Sequence, residues 1–227
     1  MSASRAIPSP ATHESGDSIV RYNLSERVHH LLATVGYLYC LATGLAFWSP
    51  YLFWLAVIVG GGATARFWHP WFGLLFVIAT VWMLRLWGSD MRITEADEAW
   101  KKAMPHYVRN EDARVPAAGR FNYGQKIFFW LMFWGAILLL LSGLGLWFVE
   151  SIPFSLHWLR LLAVFVHVTA AFATIAGFMI HVYMGVIMVP GGTNAIVRGG
   201  VSRAWARVHH RLWYEQVTKG PTPPAGK

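Results

Sequence analysis

The chain has 227 residues, 56% hydrophobic and 15% aromatic but only 13% charged, with a positive mean hydropathy of +0.41. That balance excludes an ordinary soluble domain and reads as a membrane protein. The net charge of +8 lies between and beyond apolar runs, so it speaks of membrane topology and not of nucleic-acid binding.

Residues 1–21 are polar and rich in Ser and Pro, with no apolar core behind Arg5. They are expected to form a disordered tail and not a signal peptide. An all-α membrane domain is expected over residues 22–217, as a bundle of four transmembrane helices. The first span, 28–47, opens on Glu26, Arg27, His29 and His30 and is broken by Ser49-Pro50. It holds the single cysteine, Cys40, which excludes an internal disulfide, a CxxCH haem attachment and a self-contained iron–sulfur cluster. Tyr51–Ala65 is apolar but short and ends in GGGATA, which reads as a re-entrant or interfacial piece. The second span, 70–87, has His69 at its mouth and Pro70 in its first turn, where a missing N–H is harmless. A polar loop, 88–124, leads to the third span, 125–149. The fourth, 160–189, has no acid and no base after Arg160, and residues 218–227 form a C-terminal tail.

The bases set the orientation. The long loop carries Arg92, Lys101, Lys102, Arg109, Arg114 and Arg120, and both tails are basic, whereas the other two connections hold only Arg66 and Arg160. The positive-inside rule places the termini and the long loop in the cytoplasm.

Ionisable groups within a membrane are costly and mark function by default. His167 and His181 lie fourteen residues apart in the fourth span. They therefore return to within about 40° of one helix face, separated by about 21 Å along the axis. In an antiparallel bundle His69 meets His167 near the outer face, and His30 meets His181 near the cytoplasmic face. Facing imidazoles suit a six-coordinate haem iron, which moves electrons and leaves no open position. Small neighbours for a porphyrin are at hand in Gly73, Gly143, Gly145 and Gly177. The rival is a histidine-lined proton or ion path, for which there is no intramembrane Asp or Glu to relay charge. One tetrahedral zinc site would need its ligands clustered. His29 reads as an interfacial bystander and as the substitute for His30 if the register slips by one. His157 reads as interfacial, and His13 and His106 as solvated. Trp48, Trp68, Trp71, Trp87, Trp147 and Trp158 fall where spans end, as in an interface belt. The basic aromatic stretch from Arg203 to Tyr214 reads as an anchor on anionic lipid.

With these residues placed, the chain resembles the cytochrome b (gamma) subunit of membrane-bound formate dehydrogenases. The likeness runs from Tyr22 to Val217 and is most specific at RVHH (Arg27–His30), HPWFG (His69–Gly73), RFNYGQKIFFW (Arg120–Trp130), the His167/His181 spacing and VSRAWARVHHRLWY (Val201–Tyr214). Leu31 departs from the pattern, since many members of that family have Trp there. The resemblance implies two b haems, ligated by His69 with His167 and by His30 with His181. It also implies a quinone pocket (menaquinone or ubiquinone) lined by Asn122, Gly124 and Gln125, where an isolated reading sees only a turn and a helix start. The implied partners are an iron–sulfur beta subunit and, through it, a molybdenum or tungsten catalytic alpha subunit, in the bacterial cytoplasmic membrane. Electrons would enter at the outer haem and leave at the inner one to quinone. The same architecture serves nickel–iron hydrogenases and thiosulfate or tetrathionate reductases. A histidine-lined transporter is the alternative of another class, although no internal repeat with broken helices is visible.

Overall fold

The computed structural model describes residues 17–109 and 111–219. Most of the N-terminal tail with His13, and residues 220–227, lie outside the described residues. In chain order these form strand β1 (Ser18–Val20), helix α1 (Leu24–Trp48), a short helix α2 (Trp54–Ile58), α3 (Gly62–Trp87), α4 (Glu95–Val108) and α5 (Tyr123–Trp147). Then come α6 (His157–Val182), α7 (Thr193–Val197), strand β2 (Gly200–Ser202), α8 (Arg203–His209) and α9 (Arg211–Lys219). Helices α1, α3, α5 and α6 are long and apolar enough to cross a membrane, and α6 continues into a wider π-helical turn over Tyr183–Met188.

The starts of α1 and α5 share one device. Asn23 and Asn122 each accept a hydrogen bond from the backbone N–H three residues on, and Glu26 and Gln125 reach back to the cap backbone. Such a capping box satisfies two otherwise orphaned donors and fixes where the helix begins. Helix α1 packs along α3, α5 along α6, and a contact between α3 and α5 joins the two pairs. With no water to squeeze out between spans, helices associate through close packing at small residues. Gly36 shows it: a Cβ there would lie 2.9 Å from the Phe72 carbonyl oxygen and from the Phe76 nitrogen.

The end of the bundle nearest the chain termini is closed by a cap. Strands β1 and β2 pair antiparallel, Ser18 opposite Ser202. Beneath them Tyr22, Trp87, Met91, Phe121, Phe129, Ala206 and Trp213 form a buried cluster. Arg21 lies among the rings of Tyr22, Trp205 and Trp213, at 5.4, 5.3 and 4.9 Å from their centroids. It donates to the Arg120 carbonyl at 2.6 Å and meets His210 Nε2 at 3.1 Å. Arg120 in turn donates to Glu26 at 2.5 Å and to Asp90 at 3.0 Å, and Glu26 also accepts the Trp87 indole N–H at 2.7 Å. Buried charges persist when they are paired in this way.

Several expectations change. Ser18–Val20, placed in the tail by sequence, is a strand. The second span begins at Gly62 and not at residue 70, so Pro70 sits inside α3 and withholds one helical hydrogen bond. The third ends at Trp147. The polar loop is largely the amphipathic helix α4, tied to α5 by the Lys126–Asp97 ion pair at 2.6 Å. Trp205 and Trp213 pack around Arg21 beneath the cap, so the inner face of Arg203–Tyr214 is folded into the protein, while Arg207, Val208, Arg211 and Leu212 stay exposed. Trp87 is buried there too, whereas Trp48, Trp68, Trp71, Trp147 and Trp158 are exposed as a belt requires. His106 is paired with Glu111 at 2.7 Å.

Candidate functional site

The bundle brings the four histidines together in two pairs. The ring centroids of His30 and His181 are 6.3 Å apart, and so are those of His69 and His167. A metal–imidazole bond is about 2 Å and the ligating nitrogen lies about 1.1 Å from its ring centre, so two imidazoles sharing one metal have centroids about 6 Å apart. Both pairs fit that separation. Among the described residues no group of three or more His, Cys, Asp or Glu could hold a metal ion. The donor set is therefore two nitrogens per site, which suits a metal whose other positions are filled by a macrocycle.

The hydroxyl neighbours decide which nitrogen is free. Thr43 Oγ1 lies 2.7 Å from His69 Nδ1, and Ser142 Oγ lies 3.0 Å from His167 Nδ1. Each hydroxyl also donates to its own helix, Thr43 to the Tyr39 carbonyl and Ser142 to the Leu138 carbonyl. The Nδ1–H of each ring is then the donor to the hydroxyl oxygen, which leaves Nε2 without a proton and free to act as a ligand. Sequence reasoning missed both hydroxyls, although Ser142 is the one Ser or Thr in the third span. Gly143 sits against His167, where an added Cβ would come 3.3 Å from Cε1. Gly44 and Gly73 are similarly open, facing His69 at 3.7 Å and Cys40 at 3.8 Å. Gly145 and Gly177 instead serve helix contacts, against Ala163 and Leu131.

The register question at the first ligand has a clear geometry. His29 lies flat on Trp82, with centroids 5.1 Å apart and planes 4° apart, and its Nδ1 is 2.7 Å from the Ser25 carbonyl. His30, not His29, faces His181. Phe128 also stacks on His181, at 4.2 Å with planes 1° apart. His157 stays at the bundle surface, its Nδ1 bonded to the Phe154 carbonyl at 3.1 Å.

Asn122, Gly124 and Gln125 form the first turn of α5, about one turn before Phe128. The Asn122 and Gln125 carbonyl oxygens accept the cap hydrogen bonds at 2.9 and 3.0 Å. Their amide NH2 groups are what remains as donors. Gly124 faces Trp100 of α4, whose ring would meet an added Cβ at 3.8 Å.

A bundle of four apolar helices with a facing imidazole pair towards each end defines a membrane cytochrome of the b type. The prokaryotic cytochrome b561 family matches residues 21–199, and the chain belongs to that family as a multi-pass membrane protein. It is 36% identical over 205 residues to the cytochrome b556(fdo) subunit of formate dehydrogenase from Escherichia coli K12, covering 89% of this chain and 95% of that one. It is 31% identical over 199 residues to the cytochrome b556 subunit of formate dehydrogenase from Haemophilus influenzae, covering 87% and 83%. The cytochrome b556(Fdn) subunit of the nitrate-inducible formate dehydrogenase of Escherichia coli K12 is 28% identical over 204 residues, covering 88% and 92%.

Proposed function

We propose that the chain is the di-haem cytochrome b subunit of a formate dehydrogenase, anchoring the complex in the bacterial cytoplasmic membrane and passing electrons to quinone. The observation that carries the reading is the equal 6.3 Å separation of the two histidine pairs. His69 and His167 would ligate an outer haem, and His30 and His181 an inner one. When bound, haem b supplies an iron that alternates between ferric and ferrous states and so carries one electron. Thr43 and Ser142 hold two of the imidazoles in the ligating tautomer, and Phe128 holds the plane of His181.

Basic residues at the terminus-bearing end support cytoplasmic termini. The electron donor is then an iron–sulfur subunit at the opposite face, itself served by a molybdenum or tungsten subunit that oxidises formate. Asn122 and Gln125 present amide donors to a quinone carbonyl beside the inner pair, with Gly124 allowing close backbone approach. Protons for quinol formation come from the cytoplasm, so inward electron flow separates charge.

The test is a reduced-minus-oxidised visible spectrum of the purified complex, with haem quantified per chain. Two low-spin b haems are expected in the wild type and one each in His69→Ala and His181→Ala. Haem-free protein, or variants that keep both haems, would refute the reading. Co-purification with a formate-oxidising partner separates it from a hydrogenase or thiosulfate reductase subunit.

A further inference from the structure

We propose that Arg66 and Arg160 form a carboxylate-binding site for the two propionates of the haem held by His69 and His167. The inference rests on the di-haem reading above. Its first support is register. Arg66 lies three residues before His69 on α3, and Arg160 lies seven before His167 on α6. At about 100° and 1.5 Å per residue, the two bases fall within about 60° and 20° of their histidines' faces. Both are displaced towards the same end of the bundle, by about 4.5 and 10.5 Å.

The second support is that neither cation is paired with an acid among the described residues, although Arg66 is exposed. Among the described residues Arg66 has no hydrogen bond or ion pair with protein. It borders a groove of about 630 Å³ with Ala46, Phe47, Pro50 and Phe53, and the Phe47 ring is 5.6 Å from that of His69. Arg160 donates one terminal nitrogen to the Ile152 carbonyl, but its Nε is buried without a partner. A buried donor without a partner is costly, more so on a charged group. The one acid in the connections at this end, Glu150, is exposed and makes no ion pair among the described residues. Two bases without acids thus stand on the two helices that supply the ligands of one haem, whose side chains carry two carboxylates.

The other end supplies an internal comparison. Arg27 lies three residues before His30, in the register of Arg66 and His69. There the guanidinium is used within the protein, with Nε donating to the Ile196 carbonyl at 2.8 Å and a terminal nitrogen donating to that of Val197. Guanidinium groups pair with carboxylates by charge-assisted, often bidentate hydrogen bonds, which lysine copies only as a point charge. A lipid phosphate offers the same anionic oxygens, so the experiment must tell the two sources apart.

The experiment is a redox titration of the intact complex, following the two haem couples by their visible bands. The couple that disappears in His69→Ala identifies the haem in question. In Arg66→Gln and Arg160→Gln that couple should move about tenfold towards the ferric form at a given potential, which is about 59 mV for one electron. The other couple should not move, and Arg66→Lys should recover much of the shift. If Arg66→Gln loses the haem and Arg66→Lys retains it with a near-native couple, the assignment also holds. It is overturned if both couples keep their wild-type positions, as a lipid-phosphate partner would give. It is equally overturned if both couples move together, or if Arg66→Lys loses haem as fully as Arg66→Gln. A wild type without two couples refutes the di-haem reading itself, and this assignment with it.

Discussion

His210 offers the sharpest test of the cap, because a change of pH alone perturbs it. The residue is 2% exposed. Its Nδ1 lies 2.8 Å from the Gly119 carbonyl, which can only accept, so Nδ1 carries the proton and Nε2 accepts from Arg21. Burial, and after it the charge of Arg21, holds the imidazole well below its ordinary value of 6.5. The closed cap therefore binds fewer protons here than the opened one. The stabilising contribution is complete above about pH 6.5 and is lost as the pH falls below that value towards the depressed one. Between about pH 6.5 and 5.5 the closed cap should lose about 1 kcal/mol, or about fivefold in its opening equilibrium. Hydrogen exchange of residues 203–214 in the lipid-embedded protein, corrected for intrinsic exchange rates, reads that opening directly. His210→Gln should abolish the dependence. A flat profile in the wild type, or an undiminished slope in His210→Gln, would show that the buried imidazole does not set the cap's stability.

Three other perturbations follow from contacts within the bundle. Gly36→Ala places a methyl 2.9 Å from the backbone of α3 and should cost about 1–3 kcal/mol; heat-induced haem release should begin at lower temperature, and an unchanged profile would mean the α1–α3 contact is looser than it stands. In the Lys126–Asp97 pair the side chains are 7% and 6% exposed; burial pushes Asp97 up, but the hydrogen bonds from Lys126 and Thr94 outweigh it and leave the carboxyl below its ordinary value. Lys126→Met should therefore destabilise α4 packing by about 3–5 kcal/mol, and Lys126→Met with Asp97→Leu should recover most of that in chemical unfolding. Thr43→Val removes the acceptor of His69 Nδ1–H at nearly constant shape, for about 1 kcal/mol; on the di-haem reading, the low-spin ferric resonance of one haem should broaden or shift while the other stays fixed.

The parts of this protein legible in its sequence are those that helical periodicity and depth control. His30, His69, His167 and His181 could be paired because each has a definite distance from a span end, and antiparallel packing does the rest. The parts that were not legible depend on partners remote in the chain. Helix α3 starts eight residues before Pro70 because a proline's lost hydrogen bond is tolerated inside an apolar helix packed on neighbours. The Arg203–Tyr214 stretch has the composition of a lipid-surface helix, and composition cannot tell a bilayer from an aromatic pocket. Only the fold shows Trp205 and Trp213 enclosing Arg21, with His210 bonded to Gly119. Thr43 and Ser142 were hidden for another reason: a lone hydroxyl in a span ordinarily bonds its own helix, and both do so as well as meeting a histidine.

The two histidine pairs are held by different means, and this gives them separable sensitivities. At the capped end His30 follows the Asn23–Glu26 capping box by one turn, and Glu26 is bound by Trp87 and Arg120. His181 is fixed by Phe128, one turn beyond the Asn122–Gln125 box, in a helix that Lys126 ties to Asp97. The position of this pair is thus referred to the cap. At the opposite end His69 and His167 are fixed within the bundle, by hydroxyls of α1 and α5 that belong to the spans themselves. Glu26→Ala, which leaves the Trp87 N–H and part of the Arg120 charge without an acceptor, should cost about 3 kcal/mol and act through the cap. Its spectral and redox consequences should fall on the haem lost in His181→Ala and spare the one lost in His69→Ala. Equal disturbance of both haems by Glu26→Ala would mean that the bundle transmits strain along its whole length and that the two devices are not independent.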